Sequence, residues 1–212
     1  EDYQCVPADG LSPEEAAMAE PLAVCLLAIK QAGKIFGQKI LITGSGPIGT
    51  LCVAAARRAG AEEIIVTDIS KNALTFANSV GADRVINVLE EHDELKNYQS
   101  NKGYFDIAIE CSGSEQGISD SINCLKPKGT LIQLGLGGDV LIPLVLVTTK
   151  ELNLRGSFRF HLEFELAVNM MKKKLINVNP LITHKLDFKS AKEAFELAMN
   201  NEEQSMKVQL SF

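Results

Sequence analysis

The 212 residues predict an α/β chain built on a doubly wound, six-stranded parallel sheet, with flanking segments of a second domain. Three observations carry this. Short, continuous apolar runs such as Lys39–Thr43 suit strands covered on both faces. Helix-period segments alternate with them, and glycines such as Gly33, Gly60 and Gly81 close those segments. Strands joined by helices run parallel through right-handed crossovers, which gives an open sheet layered by helices on both sides.

The elements follow in order. Ser12 before Pro13, with Glu15 three residues on, is a capping box that opens a short helix. Glu20-Pro21 is read as an interruption, after which residues 22–32 form a strongly apolar helix ending at Gly33. Strands are expected over residues 39–43, 63–67, 84–88, 105–110, 130–134 and 152–158. Helices are expected from Ile48 to Gly60 and over residues 70–80, 92–99, 115–125 and 143–150. The end departs from this alternation: residues 162–174 and 186–197 read as helices, the latter capped by Ser190, and residues 208–212 as a lone strand.

Composition narrows the function. A hydrophobic share of 46% with 23% charge is ordinary for a globular chain. The net charge of −6 argues against nucleic acid, because no excess of Lys and Arg exists to neutralise phosphates, and Lys172 to Lys174 read as a solvated helix end. Five cysteines without a CxxC pair read as reduced thiols. No signal peptide or membrane-length apolar run is visible, so a cytoplasmic protein is expected. The chain opens at Glu1 without a methionine and reads as part of a longer protein.

Thr43-Gly44-Ser45-Gly46-Pro47-Ile48-Gly49 places a GxGxxG between a strand and a helix. Gly44 suits the tight turn, Gly46 lets a pyrophosphate approach the main chain, and Gly49 lets the helix pack closely. The helix start offers free amides and a positive dipole end to phosphates. Asp68, 19 residues past Gly49 at a strand end, can accept both adenosine-ribose hydroxyls and repel a 2′-phosphate. NAD is therefore the expected cofactor, with Ser70, Lys71 and Asn72 leaving room for NADP. Asp68 as a helix N-cap or an exposed strand end is the bland alternative. Glu110-Cys111-Ser112-Gly113 and Leu134-Gly135-Leu136-Gly137-Gly138 put small residues at two further strand exits, where a nicotinamide ribose and ring would lie. With six alternating units, these exits favour a dinucleotide site over a methyltransferase.

Glu20-Pro21-Leu22-Ala23-Val24, the glycine turn, Asp68-Ile69-Ser70 and Gly156-Ser157-Phe158-Arg159-Phe160 resemble the zinc-type medium-chain dehydrogenases, in the sorbitol dehydrogenase and L-idonate 5-dehydrogenase group. The Ser-Phe-Arg-Phe stretch is most similar to the idonate members. The resemblance runs from end to end of the chain but covers only the later part of a family member. It implies a Rossmann domain over residues 22–158, with residues 1–21 and 159–212 belonging to a GroES-like catalytic domain. It implies that Glu20 stands beside a catalytic zinc as a direct or water-mediated ligand. Pro47, Ile48, Asp68 and Ile69 would hold the cofactor, and Cys111, Ser112, Leu134, Gly135, Leu136, Ser157, Phe158 and Arg159 would line its nicotinamide half. Arg159 would also contact substrate, and its planar fork suits a sugar-acid carboxylate.

Two positions depart from the pattern. Phe160 lacks a tyrosine hydroxyl, and Ala73 stands where the group carries a basic residue. Alternatives stay open for two others: Arg159 could form an ion pair with Glu20, and Glu20 could be a simple helix-start carboxylate. His92, His161 and His184 show no ligand spacing.

The implied function is interconversion of a secondary alcohol and ketone on a polyol or sugar acid, by zinc-assisted hydride transfer, in a homodimer or homotetramer. Residues 152–158, as an apolar sheet edge, would supply the pairing surface. These 212 residues by themselves are expected to bind NAD and turn over poorly. A zinc-free quinone or enoyl reductase, and a non-catalytic nucleotide-binding module, are the competing readings.

Overall fold

The computed structural model describes residues 5–199 and 205–212. Six parallel strands form one sheet: β1 (Lys39–Thr43), β2 (Glu63–Asp68), β3 (Arg84–Asn87), β4 (Phe105–Glu110), β5 (Leu125–Gln133) and β6 (Asn153–Gly156). Their spatial order is β3-β2-β1-β4-β5-β6. The order reverses between β1 and β4, the switch point at which open α/β sheets bind ligands.

Both faces of the sheet's central strands are dry. Ile40, Ile42, Ile64, Val66, Ile107 and Ile109 enter one core, while Leu41, Ile65, Ile86, Ala108 and Leu131 enter the other. Successive side chains point to opposite faces, so an unbroken apolar run feeds two cores at once. The first core is covered by α2 (Ala19–Ala32), α3 (Pro47–Arg58), α4 (Lys71–Ser79) and α8 (Glu163–Lys172). The second is covered by α5 (His92–Asn97), α6 (Glu115–Cys124) and the small helix α7 (Leu144–Thr149). Burying each Leu or Ile fully contributes about 1.5–3 kcal/mol.

The short helix α1 (Pro13–Ala16) has the expected box: Glu15 N donates to Ser12 Oγ at 3.2 Å and Ser12 N to Glu15 Oε2 at 3.0 Å. Ser70 and Ser114 cap α4 and α6 through the amides of Ala73 and Gly117. Gly33 closes α2 with φ 86°.

Four expectations need correction. Glu20-Pro21 does not interrupt the chain, because both lie in the first turn of α2, where a missing N–H costs no hydrogen bond. Strand β5 starts at Leu125, not Thr130: Phe105 pairs with Leu125, and the ladder resumes at Ile107 and Thr130 after an irregularity. Leu186 is in a strand, β7 (Ile182–Asp187), rather than a helix, and the following helix α9 spans Ala191–Met199. The final strand β8 (Lys207–Ser211) is not alone but pairs in parallel with β7. Gln209 Nε2 donates to the Glu14 carbonyl at 3.1 Å, and Lys185 pairs with the Glu14 carboxylate, so this two-stranded sheet holds α1. Among the described residues no helix is long and apolar enough to cross a membrane.

Candidate dinucleotide site

Register across the sheet brings polar residues to its C-terminal edge. Asp68 stands beside Asn87, Thr43 beside Glu110, Glu110 beside Gln133, and Gln133 beside Gly156. Above this row lie the glycine turn and the two small-residue exits.

Gly44 has φ 87°, a conformation that strains any residue with a Cβ. A Cβ on Gly49 would lie 1.8 Å from the Gly44 carbonyl oxygen, so the contact that requires glycine there is with the turn itself. Space in front of Gly46 is open. Gly46 caps α3 and Pro47 takes its first position, leaving the amides of Ile48 and Gly49 at helix positions without an intrahelical acceptor. That is an anion-binding arrangement.

Asp68 bridges the turn to the next loop. Its Oδ2 accepts from Ser45 N at 2.6 Å and its Oδ1 from Ser70 N at 2.7 Å. Each carboxylate oxygen offers about two acceptor sites, so one on each remains for a ligand hydroxyl. Asp68, Gly46, Pro47, Asn72 and Ala73 line a cavity of about 300 Å³, together with Ala198, Ser205, Met206 and Val208. Ile69 is exposed outside it, its carbonyl accepting from Asn87 Nδ2 at 3.0 Å.

A second cavity, of about 330 Å³, lies on the other side of the turn. Ile48, Cys111, Leu134, Gly135, Leu136, Ser157, Phe158 and Arg159 line it, together with Val24 of α2. The Cys111 thiol meets the Cys52 thiol and is desolvated, which holds it well above the ordinary thiol range and keeps it protonated. It therefore serves as an apolar wall rather than a nucleophile. Arg159 sits at the rim with φ 60°, its guanidinium carbon 5.3 Å from the Phe158 ring centroid. Among the described residues no ion pair joins it to Glu20. Ser112 is exposed and turns its hydroxyl to Glu110 and Ser114 rather than into the cavity.

The fit to a dinucleotide can be tested on polar atoms. Ser45 Oγ in the turn and Ser157 Oγ in the second cavity are buried without a hydrogen-bond partner. A buried unpaired hydroxyl costs about 1–3 kcal/mol, so Ser157 Oγ, on a residue that lines the second cavity, marks a place for a ligand atom. With the open face of Gly46 and the free acceptors of Asp68, the residues present fit a dinucleotide. They do not make a zinc site. Glu20 is exposed, and among the described residues no three His, Cys, Asp or Glu side chains gather to hold a metal ion.

Sequence reasoning placed Glu110 at a strand exit but gave it no role; it is fully buried at the end of β4 and accepts hydrogen bonds from Ser112, Gly113 and Gln133. The available signal was a carboxylate ending the apolar run over residues 107–109. Val24 and Met206 had no local signal, since each reaches the site from an element distant in sequence.

Residues 47–173, more than half of the chain, match the family model described as zinc-binding dehydrogenase. The chain belongs to the zinc-binding dehydrogenase family. It is 37% identical over 214 residues to L-idonate 5-dehydrogenase (NAD(P)(+)) of Escherichia coli strain K12, covering 100% of this chain and 62% of that one. To sorbitol dehydrogenase of Ovis aries it is 38% identical over 192 residues, covering 89% and 54%. The crystal structure of L-idonate 5-dehydrogenase from E. coli K-12 MG1655 superposes with a TM-score of 0.95, covering 100% of this chain and 61% of that one. The chain thus spans 54–62% of the length of these relatives.

Proposed function

We propose that this chain is the NAD-binding part of an oxidoreductase that interconverts a secondary alcohol and a ketone on a polyol or sugar acid. The observation that carries the reading is the convergence of the glycine turn, Asp68 and the unpaired Ser157 hydroxyl on one edge of the sheet. The residues lining the second cavity would hold a nicotinamide, whose chemistry when bound would be hydride exchange with the carbinol carbon, the hydroxyl proton being exchanged with solvent.

The chain's own residues would do the following. Asp68 holds the adenosine-ribose diol through its two free acceptor sites and disfavours a 2′-phosphate by charge, which makes NAD the preferred cofactor over NADP. The amides of Ile48 and Gly49 face the pyrophosphate. Ile48, Leu134 and Leu136 shield the ring from water. Ser157 Oγ pairs with the carboxamide, since a hydroxyl can both donate and accept. Arg159, exposed at the rim, clamps a substrate carboxylate, as a bidentate guanidinium does best. Holding both reactants converts the transfer to an effectively intramolecular step.

The similarity to idonate and sorbitol dehydrogenases supports the substrate class. By the same resemblance Glu20 is assigned beside a zinc ion. The division at residues 21 and 158 and pairing of two copies across the open edge strand β6 belong to the same proposal. Support for the pairing is the exposed apolar surface of Leu141, Leu144 and Val145 near that edge.

Titration of the purified protein with NADH and NADPH tests the cofactor. NADH is expected to bind about tenfold tighter; the reverse preference would sink the role given to Asp68. Turnover by these 212 residues alone is expected to be poor, so the substrate class is tested by adding L-idonate and sorbitol to the NADH-loaded protein and following NADH fluorescence; no response to any polyol or sugar acid tried would sink it.

A further inference from the structure

We propose that Glu110 is the positioning residue for the nicotinamide half of the cleft, locking three strand-end loops onto one buried carboxylate; this rests on the NAD-binding reading above. Glu110 is 0% exposed, at the end of β4 beside the switch point. Its Oε1 accepts from Ser112 N at 2.8 Å, Gly113 N at 3.0 Å, the Ser112 hydroxyl, and Thr43 Oγ1 at 3.4 Å. Its Oε2 accepts from Gln133 Nε2 at 2.6 Å and Gly113 N at 3.0 Å. Its backbone carbonyl accepts from the amides of Leu134 and Gly135 at 2.9 and 2.8 Å.

Thr43 begins the phosphate turn, and Gly113 and Gly135 belong to the two loops that follow β4 and β5. The packing leaves no slack. A Cβ on Gly135 would lie 2.2 Å from Gly113 N and 2.7 Å from Glu110 Oε2. Leu134, Gly135 and Leu136 line the second cavity, so a shift of the carboxylate moves that wall directly. Glu110 itself does not line the cavity and acts through these backbones.

Only a carboxylate meets the demand. Every group facing it is a donor, and Glu presents acceptors on both oxygens. Gln would keep the shape but turn one oxygen into an NH₂, opposing either Gln133 Nε2 or the Gly113 amide. In a buried network such a conflict is not relieved by water.

The experiment compares E110Q with the unaltered protein, using NADH and ADP-ribose as probes, with thermal unfolding alongside. ADP-ribose lacks only the nicotinamide ring, so the difference between the two probes reads the ring wall formed by Leu134, Gly135 and Leu136. E110Q is expected to weaken NADH about tenfold or more while ADP-ribose changes less than about twofold. If E110Q does not fold, Gln133→Leu, which removes one donor to Oε2, is judged by the same split with a smaller NADH loss. Equal losses for both ligands, tracking a drop in Tm, would show a merely structural role and overturn the proposal, as would no change for either. If the unaltered protein binds neither probe, the NAD-binding reading fails first and this inference with it.

Discussion

The two ends of the central sheet are built from similar residues and behave in opposite ways. At the N-terminal end every polar group named here is answered within the protein. Asp106 accepts from Lys39 N at 2.9 Å and from Lys126 Nζ at 3.0 Å, and the Tyr104 hydroxyl donates to Glu63 at 2.7 Å while accepting from Lys39 at 3.0 Å. Tyr98, Tyr104 and Phe105 close that end with ring centroids 5.1–5.2 Å apart. At the C-terminal end Ser45 and Ser157 keep buried hydroxyls unpaired, and glycines fill positions where side chains would collide. The closed end secures the fold; the open end gives up stability to keep donors and acceptors available for a ligand. Substitutions at the two ends should therefore separate stability from binding.

The largest effect is expected at the closed end. Phe105 is fully buried at the foot of β4, and Phe105→Ala should cost about 3–5 kcal/mol through lost contacts and the cavity left behind. Thermal denaturation should show a fall in Tm on the order of 10 °C. NADH affinity of the folded fraction should stay within about twofold; a large loss of affinity would mean that the two ends are coupled through β4. Next comes Asp68→Asn at the open end. Its amide group must oppose either Ser45 N or Ser70 N, both of which are donors. The ratio of NADPH to NADH dissociation constants should fall about tenfold as the repulsive charge is lost. An unchanged ratio from paired titrations would remove Asp68 as the discriminating group.

The contrast between the ends also explains what the sequence could reveal. Strands β1, β2 and β4 were legible because burial on both faces leaves an apolar run that needs no partner to be recognised. Gly44, Gly49 and Asp68 were legible because a turn, a close backbone approach and a strand-end acid have a fixed spacing. Glu110 was not, because its importance lies in donors contributed by Thr43, Ser112, Gly113 and Gln133, which only the sheet register assembles. Strand β7 was hidden for a related reason. Its residues are Ile-Thr-His-Lys-Leu-Asp, none of them fully buried, and its sheet partner among the described residues is β8, some twenty residues later. Pro21 misled because proline breaks a helix interior but not a first turn.

The sharpest form of the comparison removes one hydroxyl from each end. Tyr104→Phe deletes a group that already has two protein partners, so it should lower stability by about 1 kcal/mol and leave NADH binding untouched. Ser157→Ala deletes a buried hydroxyl with none, so the ligand-free protein should lose no stability and can gain a few tenths of a kcal/mol. Its NADH affinity should nevertheless fall about three- to tenfold, the worth of one hydrogen bond to the carboxamide, while ADP-ribose affinity stays the same. Both variants can be followed by thermal shift with and without NADH. The increment in Tm on adding NADH should shrink for Ser157→Ala alone, because ligand stabilisation scales with affinity. Should Ser157→Ala instead lower the Tm of the free protein while its NADH increment stays whole, the hydroxyl would be serving the fold. The division between a closed and an open end would then not extend to β6.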